Sequence, residues 1–516
     1  MRSLHKYGTM VAVAALFAAS GTVAQAADAD LQSLQQQINM LQQQLKDVQA
    51  KQAAAPAAGP LAGAATVPAN GGPGFLQYGS SAGGFVIPGT KTALKIGGNM
   101  KFDMAWDVDA GIGGAGVDQY QIRNAGLAGS GGFALPGTPA ARQLGRFSAN
   151  AGYSRLNFET RTPSEYGEIK FYTEVDFSGS NGGNEYNSNS HAVRLRHAYG
   201  TVGNWLIGQT WTNWTDRATV PNSVENNGPI GPESGVRQAL ISYRWDIDPA
   251  QKNQMYFSVE NPFSDFAGAD NEALSGAGIN NATNFNHKYP DVLAKFAHNE
   301  SWGRTYLTAM VRDLSIDTVG IPLGSAAGSK FTGATHDSTV AWGLTGGGKI
   351  YTGFGNPKNA VYVRVEGGQG IGRYMNFNSI NQNASAVVDT NGKLQSTLAG
   401  SYEVSYQHFW NDTNTWQSNV IWGDQKIWQK SSLLTNSLVN TSTSSGIQGL
   451  PTDFQEIELN LMWSPNSFVM MGPAYIRANA RTVAGQNLIG VAGATRATSG
   501  TTAIDNRFQF TTQIGF

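Results

Sequence analysis

Residues 507–516, at the C-terminus of the chain, alternate between two kinds of side chain. Phe508, Phe510, Ile514 and Phe516 share one parity, and polar residues or glycine occupy the other parity. Successive side chains in a β-strand point to opposite faces, so this segment forms a strand with one apolar and one polar face. Such a strand fits any half-buried sheet, whether in a soluble β-sandwich or in a membrane barrel.

The N-terminus has the features of an export signal. A basic start with Arg2 and Lys6 precedes the apolar residues 10–19, and a small-x-small cleavage site follows at residues 24–26. We therefore expect residues 1–26 to be a secretory signal peptide that is removed from the mature chain.

The composition excludes several classes of protein. No later stretch approaches the ~18 apolar residues that a spanning helix needs. The sequence contains no cysteine, so disulfides cannot staple the fold. Removal of Arg2 and Lys6 with the signal peptide changes the net charge from -1 to -3, a near-balance that argues against nucleic acid as a partner.

Residues 27–52 carry apolar side chains at alternating spacings of three and four, with glutamine between them. This is the a/d seam of a coiled coil, although a single amphipathic helix lying on another surface is the alternative. Residues 53–84 are rich in Ala, Pro and Gly, which predicts a flexible linker. The seam consists of Leu31, Leu34, Ile38, Leu41, Leu45 and Val48.

From residue 85 to the C-terminus, about sixteen segments alternate apolar and polar residues, as the closing strand does. The connections between them also alternate in length. Short ones such as 162–167 and 411–414 follow even-numbered strands, and long ones such as 108–145 and 424–452 follow odd-numbered strands. Because outer-membrane barrels have short periplasmic turns and long external loops, this places both barrel ends and the N-terminal helix in the periplasm.

The second face of these strands carries charged and amide side chains. Glu456, Glu458 and Asn460 share one face and could not fill the dry core of a β-sandwich, because buried unpaired charge is costly. They can line water, and ~16 strands leave an aqueous channel. The predicted fold of residues 85–516 is therefore an all-β transmembrane barrel.

The C-terminal strand resembles the closing strand of Gram-negative outer-membrane barrels. In those barrels the terminal aromatic residue is part of the signal that the barrel-assembly machinery reads. The resemblance implies that this signal is formed here by Phe508, Phe510, Ile514 and Phe516.

Several further segments, in order, resemble the DcaP-like porin family. The resemblance spans nearly the whole mature chain, and it implies a trimeric sixteen-stranded diffusion channel with a periplasmic coiled coil. It also implies a preference for anions, dicarboxylates among them. The chain departs from the family pattern at Pro473, where we expect a bulge because proline cannot donate to the ladder. The segments are FVIPGT at 85–90, LKIGG at 94–98, RLRHAYG at 194–200, GQTWT at 208–212, GIGRY at 370–374 and LMWSP at 461–465.

The connection at residues 213–236, after the fifth strand, is the candidate constriction loop. Porin trimers fold the third external loop inward, and the prolines and glycines of this one suit an irregular path that lines water. An ordinary solvent loop is the alternative. Its charged residues are Asp216, Arg217, Glu225 and Glu233.

Opposite this loop we expect a basic wall. Rings of arginine favour anions in pores, and the guanidinium fork suits carboxylates. The alternative is that these arginines pair with inward acids such as Glu174 and Asp176. Arg155, Arg161, Arg194, Arg196, Arg244 and Arg364 have inward parity, and Arg237 lies at the loop exit.

The remaining residues give no sign of catalysis. The seven histidines are scattered without metal-ligand spacing, and no nucleophile motif accompanies them. We therefore expect no enzyme activity and no cofactor. The sequence predicts a homotrimeric porin in the bilayer of the outer membrane that passes small anionic or neutral solutes. A general or sugar-passing porin and an envelope tether are the alternatives.

Overall fold

The computed structural model describes residue 43 and most of residues 85–516. The exceptions are residues 88, 109–144, 180–191, 227, 233–234, 264–265, 268–285, 318–335, 376–384, 389–392, 429–441, 444–445, 448–450 and 483–501. The predicted signal peptide, coiled-coil seam and linker therefore lie outside the described residues, apart from residue 43. Among the described residues, no helix is long and apolar enough to cross a bilayer.

The described chain consists almost entirely of β-strands. Two one-turn 3-10 helices, Arg217–Thr219 and Gly372–Tyr374, lie in connections. The strands are β1 (Phe85–Val86), β2 (Ala93–Asp107), β3 (Arg146–Asn150), β4 (Arg155–Ser164), β5 (Gly167–Gly179), β6 (Ala192–Val202), β7 (Trp205–Trp211), β8 (Arg237–Asp246), β9 (Asn253–Glu260), β10 (Phe266–Ala267), β11 (Asp291–Glu300), β12 (Gly303–Asp317), β13 (His336–Tyr351), β14 (Ala360–Gln369), β15 (Ala386–Val388), β16 (Leu394–Ser396), β17 (Leu398–Phe409), β18 (Trp416–Trp428), β19 (Ser442–Thr443), β20 (Gly446–Ile447), β21 (Pro451–Asn466), β22 (Val469–Thr482) and β23 (Thr502–Gly515).

One antiparallel sheet closes on itself to form a barrel. Each long strand pairs with the next one along the chain, and β23 pairs with β2 to complete the ring. β3 and β4 both pair with β2 and are two parts of one barrel strand. With this pair counted once and the two-residue β1 left out, the barrel has sixteen strands. The predicted sixteen-stranded barrel is confirmed.

The connections alternate as the sequence predicts. At one end of the barrel, residues 165–166, 203–204 and 467–468 make short turns. At the other end, connections such as 212–236 and 429–450 are long. The two ends of the barrel chain, β2 and β23, begin and finish at the short-turn end, which is the periplasmic end of an outer-membrane barrel.

The two faces of the sheet differ as expected. Apolar side chains point outward and remain exposed, whereas charged and amide side chains point inward. Of the tryptophans, all except Trp211 and Trp214 are exposed on the outside, as in the aromatic girdles of membrane barrels. Phe508, Ile514 and Phe516 are exposed at outward positions of the closing strand and its end.

Two local expectations differ from the structure. Strict alternation along β6 would point His197 outward, but this side chain is buried inside the barrel beside Tyr172. The reason is a register shift between Glu174 and Val175, which adds one residue to β6 and turns the following side chain inward. No bulge occurs at Pro473. This proline is exposed outward, and the β21–β22 register is the same on both sides of it.

Candidate functional site

The described residues of 212–236 fold into the barrel instead of projecting from its end, and we call this segment the inner loop. Trp214 and Val224 are completely buried, and Ile230 is almost so. The loop contacts strands that lie far apart around the ring, so it crosses the interior.

Asp216 anchors the start of the inner loop to β12. Its carboxylate accepts two hydrogen bonds from Arg304, at 2.9 and 2.6 Å, and Lys295 lies 3.8 Å away. It also accepts a hydrogen bond from the backbone N–H of Ala218 and so caps the 3-10 turn. Burial alone would raise the pKa of Asp216, but Lys295 and Arg304 outweigh burial and hold this pKa below its usual value.

The middle of the loop is bound to the opposite part of the ring. Glu458 of β21 accepts hydrogen bonds from the hydroxyl of Ser223 and from the backbone N–H of Val224. Lys101 of β2 donates a hydrogen bond of 3.0 Å to the carbonyl of Val224. These contacts hold the loop against β2 and β21.

The end of the loop lies against β14 and β17. Arg364 forms a buried ion pair with Glu403 and donates a hydrogen bond of 3.1 Å to the carbonyl of Pro232. Nearby, the indole N–H of Trp214 donates to Glu366 at 2.8 Å. Arg364 therefore has the predicted inward orientation, but it is covered by the loop and does not line open space.

On the other side of the interior, β4, β5 and β6 carry a group of arginines and acids. Asp176 accepts a two-pronged hydrogen bond from Arg194, at 2.9 and 2.7 Å. Arg196 bridges Glu174 and Asp176 with hydrogen bonds of 2.7 Å each, and Arg155 lies 3.8 Å from Glu174. The predicted pairing of inward arginines with inward acids is thus present.

Arg217 of the inner loop and Arg237, the first residue of β8, add two more arginines to this group. The guanidinium groups of Arg217 and Arg237 lie over the ring of Trp211, at 4.3 and 4.4 Å from its centre. The positive charges of Arg155, Arg194 and Arg196 repel that of Arg237. We call the whole group the basic wall: Arg155, Arg194, Arg196, Arg217 and Arg237 with Glu174 and Asp176, a formal charge of +3.

The basic wall meets solvent mainly at Arg194, because the Arg155 and Arg196 side chains are only 9% and 1% exposed. The Arg194 side chain is 31% exposed, whereas those of Arg364 and Glu403, on the side covered by the loop, are 0% exposed. The inner loop therefore divides the interior into a sealed half and a half where charged side chains meet solvent.

The other predicted site residues lie elsewhere. Arg161 pairs with Glu159 and Glu168 near the short-turn end, and Arg244 pairs with Asp246 there. The remaining two are Glu225, which is buried within the inner loop, and Glu233, which lies outside the described residues.

The sequence indicates that residues such as Glu458 point inward, but not that they hold the inner loop. Lys101, Arg304, Glu366 and Glu458 all have inward parity, which is the available signal. Parity does not reveal which inward residue a loop will contact.

A closed sixteen-stranded barrel with an apolar outside, a polar inside and an inward-folded loop has the architecture of an outer-membrane porin. The comparisons agree. The family model "DcaP outer membrane protein" matches residues 19–418, so the chain belongs to this family of outer-membrane channel proteins.

Several solved structures are similar to this chain, the first with a TM-score above 0.5 and the others below it. The outer membrane channel DcaP of Acinetobacter baumannii superposes with a TM-score of 0.61 at 15% identity, over 84% of this chain and 99% of that one. The anion-selective porin from Comamonas acidovorans gives a TM-score of 0.44 at 11% identity, over 82% and 100%. The trimer form of OmpT from Vibrio cholerae gives 0.44 at 8% identity, over 82% and 99%. The comparison with curated proteins found no match.

Proposed function

We propose that the protein is a passive channel for small hydrophilic solutes that prefers organic anions such as dicarboxylates. The observation that carries this preference is the surplus positive charge of the basic wall on the accessible side of the interior. An arginine-lined passage lowers the energy of an anion and raises that of a cation.

The acids of the basic wall support this role. Glu174 and Asp176 fix the guanidinium groups of Arg194 and Arg196 by hydrogen bonds, so these side chains lose little freedom when an anion passes. Two acids neutralise only part of five arginines. A dicarboxylate has two groups that guanidinium forks can bind in turn.

The assembly of the channel is also a proposal. We infer a homotrimer in the outer membrane, with residues 27–52 as a periplasmic coiled coil that holds three barrels together. The outward-facing C-terminal aromatics, including Phe508 and Phe516, would be available to the barrel-assembly machinery.

The test is an ion-selectivity measurement on the purified protein in a planar bilayer. A KCl gradient should give a reversal potential of anion-selective sign, and succinate added to one side should reduce the chloride current. Stepwise currents with no anion preference would refute the proposed selectivity but leave a porin, and the absence of any conductance would refute the channel itself.

A sugar-passing channel is the second candidate, because aromatic side chains adjoin the basic wall. The rings of Tyr172 and Tyr199 lie 5.6 Å apart on the inner face, and that of His197 lies 6.1 Å from Tyr172. Such rings can stack on sugar faces. Swelling of proteoliposomes in isosmotic maltose and in succinate separates the candidates, since an anion channel should admit succinate faster than maltose.

A further inference from the structure

Among the described residues, a compact group of basic side chains lies on the outer surface of the barrel. Most basic residues of the described strands point inward. Lys426 alternates with the buried Gln425 and Ile427, and it points outward. Arg477 and Arg481 also point outward and are exposed.

These three residues lie together because of the strand register. Lys426 of β18 is opposite Asp453 of β21, which is in turn opposite Arg481 of β22. Arg477 lies one outward position closer to the membrane, opposite Ile457. We call Lys426, Arg477 and Arg481 the outer basic cluster.

The cluster sits at the edge of the apolar band, at the long-loop end. The outward row just below Arg477, toward the periplasm, is entirely apolar or aromatic: Val420, Leu459, Tyr475 and Phe508 are adjacent in register. The outward row directly above Arg477 is mostly polar and consists of Asp424, Gln455, Asn479 and the apolar Ile504. In an outer-membrane barrel the long-loop end meets the external leaflet, so this boundary lies at the depth of its headgroups.

The charges of the cluster suit an anion at this depth. Arg477 has no acidic neighbour in its own row, and it donates one hydrogen bond, of 3.1 Å, to Asn506. A guanidinium has five N–H donors, which bind phosphate oxygens in pairs. Asp453 lies 3.5 Å from Lys426 and stands between Lys426 and Arg481 in register. It therefore neutralises part of the positive charge of these two residues, and the row that contains Arg477 is the more positive one.

We propose that the outer basic cluster binds the phosphate groups of a phosphorylated glycolipid, the lipopolysaccharide of the external leaflet. Its acyl chains would pack on Tyr475, Phe508 and Leu459, directly beneath the arginines. The apolar row lies directly below the arginines. This order matches a lipid whose phosphate groups stand at the headgroup end of its acyl chains. A free phosphate would use the arginines but not the apolar row.

The test measures binding of lipopolysaccharide to the full-length protein in detergent, by native mass spectrometry, with dephosphorylated lipopolysaccharide and phosphatidylglycerol as further probes. A basic residue near an anionic lipid surface contributes about a fivefold factor, so R477Q/R481Q should weaken binding about 25-fold. R477K/R481K keeps the charge and should retain most of the affinity. The matched control is K252Q, which removes a charge from an exposed lysine at the short-turn end and should bind as the wild type does.

Three results would overturn the proposal: wild-type affinity in R477Q/R481Q, equal binding of the dephosphorylated lipid, or equal binding of phosphatidylglycerol. The heat-modified mobility of each variant on a gel verifies that the barrel is folded. Chloride conductance of R477Q/R481Q should equal that of the wild type, because the cluster is outside the channel, so failure here is distinguishable from failure of the proposed selectivity.

Discussion

The basic wall gives a charge-reversal prediction whose size can be worked out. R155E/R194E changes the formal charge of the wall from +3 to −1, and the neutral variant R155Q/R194Q leaves +1. Arg194 and Arg155 suit the test better than Arg196, because their side chains are 31% and 9% exposed, whereas that of Arg196 is 1% exposed and binds two carboxylates at 2.7 Å. Replacing Arg196 by Glu would bury three acids together and disturb the fold.

Coulomb's law sets the magnitude. One unit charge acts on an ion about 8 Å away with about 0.5 kcal/mol in a water-like medium. At ~0.1 M salt, screening over a Debye length of about 10 Å roughly halves this value. Four units therefore shift each ion by about 1 kcal/mol, with opposite signs for anions and cations. The anion-to-cation permeability ratio of R155E/R194E should fall about 20-fold, and that of R155Q/R194Q about fivefold.

Salt dependence makes the prediction sharper. At ~1 M salt the Debye length is about 3 Å, so the effect of R155E/R194E should shrink to less than about twofold. The assay is the reversal potential across a fixed KCl ratio, measured at both mean concentrations. K252E reverses one charge, a change of two units and thus as large as that of R155Q/R194Q, in a turn at the periplasmic end, and it should leave the ratio almost unchanged. A ratio that does not follow the order wild type, neutral variant, reversed variant would refute the electrostatic role of the wall.

Three further predictions concern the inner loop and the N-terminus. D216N removes the charge that binds Arg304 and Lys295. Because breaking a buried ion pair costs about 3–5 kcal/mol, we expect the inner loop to become mobile, the single-channel currents to become larger and noisier, and the melting temperature to fall. G423A places a methyl group against the carbonyl of Ile230, so it should displace the loop and alter conductance, whereas alanine at the outward Gly367 meets only ordinary contacts and should not. Deletion of residues 27–84 should leave the conductance of each barrel intact if the protein is a channel, whereas a function as an envelope tether would be lost.

The fold of the barrel could be predicted from the sequence because its rules are local. Each strand is recognised by its alternation of apolar and polar residues. The alternation of short and long connections indicates which end of the barrel faces the periplasm. The strand that closes the ring, β23, is also recognisable locally, because its outward residues include the aromatics that the alternation identifies. Exceptions occur where one strand gains a residue, as in β6, where an added residue turns His197 inward. No property of the sequence RLRHAYG marks that bulge.

The candidate site could be predicted only in part, because its contacts are not local. The sequence indicates that Arg364 points inward, but only the path of the inner loop shows that Pro232 covers it. The hydrogen bonds between Ser223 and Glu458 join residues more than two hundred positions apart. A basic wall and the pairing of its arginines with acids can both be true, and the structure contains such pairing at Asp176 and Glu174.

The pairing and the surplus charge are compatible because they have different origins. Within the strands, Glu174 and Asp176 pair with Arg194 and Arg196, and with Arg155 and Arg237 included the strand residues of the basic wall carry a formal charge of +2. The inner loop raises this charge to +3 through Arg217, whose guanidinium lies over the ring of Trp211. Displacing the loop should therefore weaken anion preference as well as widen the passage. If D216N raises conductance while the permeability ratio stays at the wild-type value, Arg217 does not contribute to selectivity, and the arginines of the strands would have to account for it.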